Sequence, residues 1–150
     1  MRVSTKTDYA LRALIEIAQR DDVVSAEQVG ASQDIPHGFL QSILADLRRA
    51  GLVSSQRGQS GGWRLATAAS DISVADVIRA VDGPLLSVYG VRPESVSYNA
   101  SAEVLQTVWV AARSSLREVF ETVTIAALVD GTLPDDVLKR TADEDAWNPH

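Results

Sequence analysis

The chain has 150 residues, 45% apolar and 23% charged, with a net charge of −6 and no cysteine. A chain of this size corresponds to about one domain with a sizeable core, which excludes wholesale disorder. The absence of cysteine excludes disulfides, thiol nucleophiles and thiolate-held zinc or iron–sulfur clusters, and His37 and His150 alone are too few for a multi-histidine metal site.

In chain order, Thr5 to about Gln19 reads as a helix, with Thr5 and Asp8 in a capping pattern. Tyr9, Ala10, Ala13, Leu14, Ile17 and Ala18 form one apolar face, which Leu11 and Ile15 widen. Ser25 and Gln28 make a second capping box that opens a short helix through about Ser32. After the tight connection Gln33-Asp34-Ile35, Pro36 suits the first position of a third helix ending near Ala50 at Gly51. Phe39, Leu40, Ile43, Leu44 and Leu47 mark its buried stripe. The opposite face carries His37, Gly38, Gln41, Ser42, Ala45 and Arg48, which are small or hydrogen-bonding groups without the Glu/Lys pairs of a solvated helix. Two helices joined by a three-residue turn, the second with such an outer face, describe a helix-turn-helix.

Leu52–Ser55 and Trp63–Ala66 are strand candidates flanking a tip that holds Gly58, Gly61 and Gly62, glycines that allow positive φ. A hairpin directly after the second helix of a helix-turn-helix is a wing, and Arg57 beside a slim Gly/Ser tip suits a minor groove about 6 Å wide. Ser73 and Asp76 cap a short helix with Val74, Val77, Ile78 and Val81 on its apolar face, ended by Asp82-Gly83-Pro84. A connection follows over 84–100, and its length suits a functional or partner-bound loop. The longest helix is expected from about Ser101 to Glu121, with Leu105, Trp109, Ala112, Leu116, Val119 and Val123 forming a helix–helix seam. Thr122-Val123-Thr124 predicts a break before a turn at Ile125–Val129. A last helix is expected over Leu133–Arg140, with a frayed end at 141–150.

Charge is unevenly spread. Residues 1–67 hold 8 Lys/Arg against 7 Asp/Glu, whereas residues 68–150 hold 6 against 13. The window 47–70 contains Arg48, Arg49, Arg57 and Arg64 and no carboxylate. The positive potential is thus local, on the segment that carries the helix-turn-helix and wing. Catalysis finds no support: His37 lies on a small polar helix face rather than near a nucleophile turn, no carboxylate pair stands out, and the hairpin glycines lack a phosphate-loop context. No apolar stretch approaches the ~18 residues of a membrane span. The N-terminus lacks a signal peptide's apolar run, so the expected location is cytoplasmic.

Taken together, four stretches resemble the Rrf2 family of bacterial transcription regulators, which includes iron–sulfur cluster and nitric-oxide sensors. They are Met1–Leu11, Ile35–Leu40 continuing through Leu47–Val53, Arg57–Leu65 and Ile72–Pro84. With the long helix after 100, the resemblance covers about residues 1–130. It implies a mainly α fold: a winged helix-turn-helix DNA-binding domain over 1–83, a connecting loop over 84–100, a dimerisation helix region over 101–130, and a C-terminal helix and tail over 131–150. It also implies a homodimer on a near-palindromic double-stranded DNA operator, acting as a repressor.

Carried over by position, Pro36, His37, Gly38, Gln41 and Ser42 belong to the major-groove helix. Arg57, Gly58, Gln59, Ser60 and Gly61 correspond to the minor-groove wing, and Arg2 and Lys6 to N-terminal backbone contacts. Gln41 can read adenine through a paired donor and acceptor, whereas Arg48, Arg49 and Lys6 suit phosphates. Cluster-sensing relatives place three cysteines in the connection and at the start of the long helix. Here Val88–Glu103 offers Ser95, Ser97, Tyr98, Asn99 and Ser101, so cluster sensing is not carried over and no cofactor is expected. Tyr89, Arg92, Tyr98 and Trp109 form a candidate group for a small-molecule effector, although Trp109 and Phe120 suit core or dimer interface better than a cavity. The alternative reading, from the acidic C-terminal part and the long connection, is a winged-helix module that docks a protein partner and binds DNA weakly.

Overall fold

The computed structural model describes residues 2–149; Met1 and His150, and with them the extreme ends of the expected N- and C-terminal segments, lie outside the described residues. Helix α1 spans Thr5–Ala18. Its cap is Ser4 rather than Thr5, because the Ser4 hydroxyl accepts the Thr7 amide at 2.9 Å and leaves Thr5 as the first helical residue. Helix α2 (Ala26–Gln33) begins at the expected capping box, in which Ser25 and Gln28 satisfy each other's backbone amides. Asp34 then takes a left-handed conformation, φ 54°, and turns the chain into α3 (His37–Arg49). Pro36 is the extended N-cap of α3 instead of its first helical residue.

Leu40, Ile43, Leu44 and Leu47 of α3 are fully buried, whereas Phe39, expected in the same stripe, is 53% exposed. The four aliphatic side chains already fill the side of α3 that meets the core. Phe39, on the flank of that stripe, packs edge-on against Tyr9 of α1 with ring centroids 5.8 Å apart.

Strands β1 (Val53–Gln56) and β2 (Gly62–Leu65) pair antiparallel, with Val53 opposite Leu65 and Gln56 opposite Gly62. The hairpin is also pinned to the segment before α2, since Trp63 and Val24 exchange backbone hydrogen bonds at 2.8 and 2.9 Å. That contact explains Gly62, where an added Cβ would lie 2.6 Å from the Val24 carbonyl oxygen. Gly61 is likewise a close-approach residue, and of the hairpin's three glycines only Gly58, at φ 112°, uses glycine's conformational freedom.

Helix α4 (Val74–Val81) starts at the Ser73–Asp76 capping box. Asp82, just past its end, accepts hydrogen bonds from Ser4 and, at 2.6 Å, from Thr7, which locks the start of α1 to the end of α4. The connection at 84–100 is more ordered than its sequence suggests. Val88 and Val91 pair across a turn in which Tyr89 and Gly90 both have positive φ. A 3-10 turn follows at Pro93–Ser95, and the Gln106 side-chain amide donates to the carbonyl oxygens of Val96 at 2.8 Å and Glu94 at 3.2 Å.

Helix α5 covers Val104–Phe120, and none of its residues is buried. After it the chain returns to the first core. Ser73 bridges Thr124, the Val74 amide donates to Val123, and the Ile125 amide donates to Ile72 at 2.9 Å. Helix α6 (Ile125–Asp130), capped by Thr124, packs beside α1, and Ile125 joins Ala10, Leu14, Leu40 and Leu44 in one hydrophobic cluster. Helix α7 is Asp135–Arg140. The segment expected to fray instead holds a 3-10 turn at Glu144–Trp147, with the Trp147 indole donating to the Thr141 carbonyl at 2.9 Å. Mainly helical, with a two-stranded hairpin behind the second helix of a tight helix pair, this is a winged helix-turn-helix carrying a long additional helix.

Candidate nucleic-acid interface

Helix α3 is held by one side only. Because its aliphatic stripe is sunk in the core, Pro36, His37, Gly38, Gln41, Ser42 and Arg48 all point to solvent, and Ala45 is half-buried. The first turn lacks a side-chain cap and carries no acidic residue, so its free amides face outward without a competing carboxylate. The last turn carries Arg48 and Arg49.

The basic residues divide into two kinds. Arg2, Arg48 and Arg57 are exposed and form no ion pair among the described residues. Lys6 and Arg49, in contrast, meet on Asp46: Lys6 of α1 pairs with one carboxylate oxygen and Arg49 donates to the other at 2.7 Å. Hydrogen bonding from Lys6, reinforced by Arg49, holds the Asp46 carboxyl below the usual carboxylate range against the raising effect of burial. Asp46 therefore fixes two candidate phosphate contacts from different helices side by side. It was missed from the sequence, where the only signal is an acid beside the buried Leu47.

The wing tip, Arg57 through Ser60, is exposed, and Gly61 at its base is half-buried. Arg64 on β2 reaches back to Ser54 across the hairpin at 3.4 Å, on the strand body rather than the tip. A second omission of sequence reasoning is Glu16, a carboxylate 4% exposed on the inner face of α1. It accepts from Arg20 at 2.5 Å and from Ser32 and Gln33 at 2.8 and 3.2 Å. These bonds, Arg20 foremost, lower its pKa although burial opposes them. Glu16 thereby ties α1 to the end of α2, the helix that precedes α3.

The candidate effector residues are not gathered into one site. Tyr89 is 91% exposed at its turn. Tyr98 and Trp109 satisfy each other, the indole donating to the phenol oxygen at 3.0 Å. Arg92 lies elsewhere, on a cleft between the 83–94 segment, α4 and α5. Of the expected seam, Leu105 is exposed and Trp109, Ala112, Leu116 and Val119 are half-buried along α5. Val123 is different: it lies beyond the end of α5 and is buried against the start of α4, so its burial is already complete within one chain.

A model of the Rrf2 family, described as an iron-dependent transcriptional regulator, matches residues 3–131. A Mycobacterium tuberculosis protein named as an HTH-type transcriptional regulator is 41% identical over 145 residues, covering 95% of this chain and 90% of the relative. Among solved structures, the Bacillus subtilis global cysteine regulator CymR superposes with a TM-score of 0.71 at 28% identity, covering 88% of this chain and 98% of CymR. IscR of T. potens superposes with a TM-score of 0.66 at 31% identity, covering 100% of this chain and 94% of that one. Iron held as a sulfur cluster does not fit the residues present. Positions 88–103 supply hydroxyl, amide and carboxylate oxygens but no thiolate, and no group of three or more His, Cys, Asp or Glu among the described residues is arranged to hold a metal ion.

Proposed function

The chain belongs to the Rrf2 family of HTH-type transcriptional regulators, and on that premise we propose that it is a homodimeric repressor, free of an iron–sulfur cluster, that acts on a near-palindromic operator in the cytoplasm. The observation that carries this reading is the outward face of α3, small, polar and uncapped, beside a wing whose Arg57 makes no ion pair among the described residues. In this reading each α3 enters a major groove, and Gln41 and Ser42 meet base edges. The wing tip, Arg57 through Gly61, lies in the adjoining minor groove. Arg2, Lys6, Arg48 and Arg49 take phosphates, with Asp46 holding Lys6 and Arg49 side by side for that contact.

Dimerisation is assigned to α5. Val104, Leu105 and Val108 are 74%, 41% and 53% exposed on a helix with no fully buried residue. With Ala112 and Leu116 they form an apolar strip suited to a second copy of the same helix. Two reading heads joined in this way would address half-sites about 34 Å apart.

Fluorescence anisotropy with duplex DNA from upstream of the protein's own coding sequence tests the proposal. Sequence-dependent submicromolar binding at about 150 mM salt is expected, whereas purely salt-sensitive, sequence-blind binding would favour the protein-docking alternative. Gln41→Ala should cost about 1–3 kcal/mol at one base position. Arg48→Ala should weaken all sequences alike and reduce the salt slope by about one. Run-off transcription from the same promoter, inhibited by a repressor and stimulated by an activator, decides the direction.

A further inference from the structure

Residues 68–150 carry only 6 Lys/Arg against 13 Asp/Glu, yet four of those cations, Arg79, Arg92, Arg113 and Arg117, line a single cleft of about 440 Å³. Such a volume falls in the range of small-molecule sites. Arg79 comes from α4, Arg92 from the connecting segment, and Arg113 and Arg117 from one flank of α5. The turn at Gly83–Leu86 supplies a wall with Pro84, Leu85 and Leu86.

Three carboxylates hold three of the four guanidinium groups in place. Glu94, on the cleft itself, pairs with Arg113. Glu121 pairs with Arg79 and, through one oxygen, accepts from Arg117 at 3.0 Å. Asp76 approaches Arg79 at 3.4 Å from the other side. Arg92 forms no ion pair among the described residues, although its charge acts on Glu94. Four positive charges therefore face three negative ones, and Arg113, only 24% exposed, is oriented by its partner rather than free in solvent. Arginine forks arranged this way match the paired oxygens of phosphate and carboxylate groups.

We propose that this cleft binds a small organic anion with at least two phosphate or carboxylate groups and a compact body that rests on Pro84 and Leu85. One anionic group would meet Arg92 and Arg113, and the other Arg79 and Arg117, so that the ligand spans α4 and α5. Binding itself does not depend on operator recognition. Any effect of the ligand on DNA affinity rests on the regulatory reading above, through the α4–α5 junction.

The test is calorimetric titration of the full chain, without DNA or divalent cations, at about 150 mM NaCl, using sodium pyrophosphate and sodium citrate in separate arms. Saturable binding of one anion per chain is expected, and the arm that binds more tightly tells phosphate from carboxylate chemistry. Arg92→Gln, an exposed position, and Arg113→Gln should each weaken binding about tenfold or more, the loss of a charged hydrogen-bonding pair. Arg57→Gln on the wing should leave it unchanged. Absence of saturation by both anions up to about 10 mM overturns the proposal, as does equal weakening by Arg57→Gln. Because Arg113→Gln removes the Glu94 pair, its thermal unfolding is recorded alongside, and Arg92→Gln alone decides the outcome if Arg113→Gln is unfolded. A working operator with no anion binding removes this site alone, and anion binding without an operator removes the DNA reading alone.

Discussion

The reading head and the long helix obey opposite rules. In the head, Ala10, Ala13, Leu14, Leu40, Ile43, Leu44 and Leu47 are all 0% exposed, and buried polar groups such as Thr7 and Glu16 have partners. Helix α5 is more than twice as long as α4, 17 residues against 8, yet buries none of them. The head satisfies its apolar surface within one chain. Helix α5 leaves that core after α4 and returns to it at Val123 and Ile125, an excursion whose apolar strip is left open. Secondary structure alone therefore does not distinguish a finished core from half of one; the distinction lies in where each apolar side chain ends up.

The largest effect should come from opening the head. Leu44→Ala removes a fully buried side chain and should cost about 2–5 kcal/mol, read as a lower urea midpoint at unchanged slope. Next comes the paired change Leu105→Asp with Val108→Asp on the open strip. If α5 pairs with its copy, two carboxylates placed in that seam should weaken association about a hundredfold or more, read by sedimentation equilibrium. The far-UV spectrum of the head should persist. A dimer that tolerates both charges would erase the contrast, because the strip would then have no partner helix.

A smaller effect ties the buried carboxylate of the head to pH. The pKa of Glu16 is lowered, chiefly by Arg20, with Ser32 adding and burial opposing. A depressed folded pKa means that the unfolded chain binds the proton first as acid is added. The stabilisation is therefore fully present above the ordinary glutamate value of about 4.3 and is lost as the pH falls below it towards the depressed value. Glu16→Gln should flatten that acid limb in urea titrations between about pH 5 and 3. At neutral pH the loss should be about 1–2 kcal/mol, kept modest because the Arg20 side chain is half exposed. An unchanged acid limb would mean that the charge of Glu16 does not contribute.

Much of this was legible in the sequence, because local signals there agree with tertiary packing. The Ser25–Gln28 and Ser73–Asp76 boxes, the aliphatic stripe of α3 and the break at 122–124 all act within a few residues, where spacing decides the outcome. What stayed hidden depends on distant partners. Phe39 lies outward because Tyr9 offers it a ring, and Asp46 matters because Lys6 reaches it from 40 residues away. Val123 fitted the seam by period, but the chain turns after Phe120 and packs that side chain into the head. The cleft of arginines was invisible for the same reason, since Glu121 joins Arg79 and Arg117 from different helices.

The smallest predicted effect lies where the two regions join. Ser73 caps α4 by accepting the Asp76 amide at 3.1 Å, and Thr124 caps α6 by accepting the Ala127 amide at 3.1 Å. The same two residues bridge across the junction where the chain leaves and re-enters the head. Ser73→Ala should cost about 1 kcal/mol, and Thr124→Ala a similar amount, because each leaves a helix-start amide without its acceptor. If the caps acted independently, the double variant would lose about the sum of the two. Since the residues touch through backbone pairing, a coupling of at least about 0.5 kcal/mol is expected in the double-mutant cycle. Strict additivity would mean that the bridge is incidental, and that the anchoring of the excursion depends on Val123 and Ile125 alone.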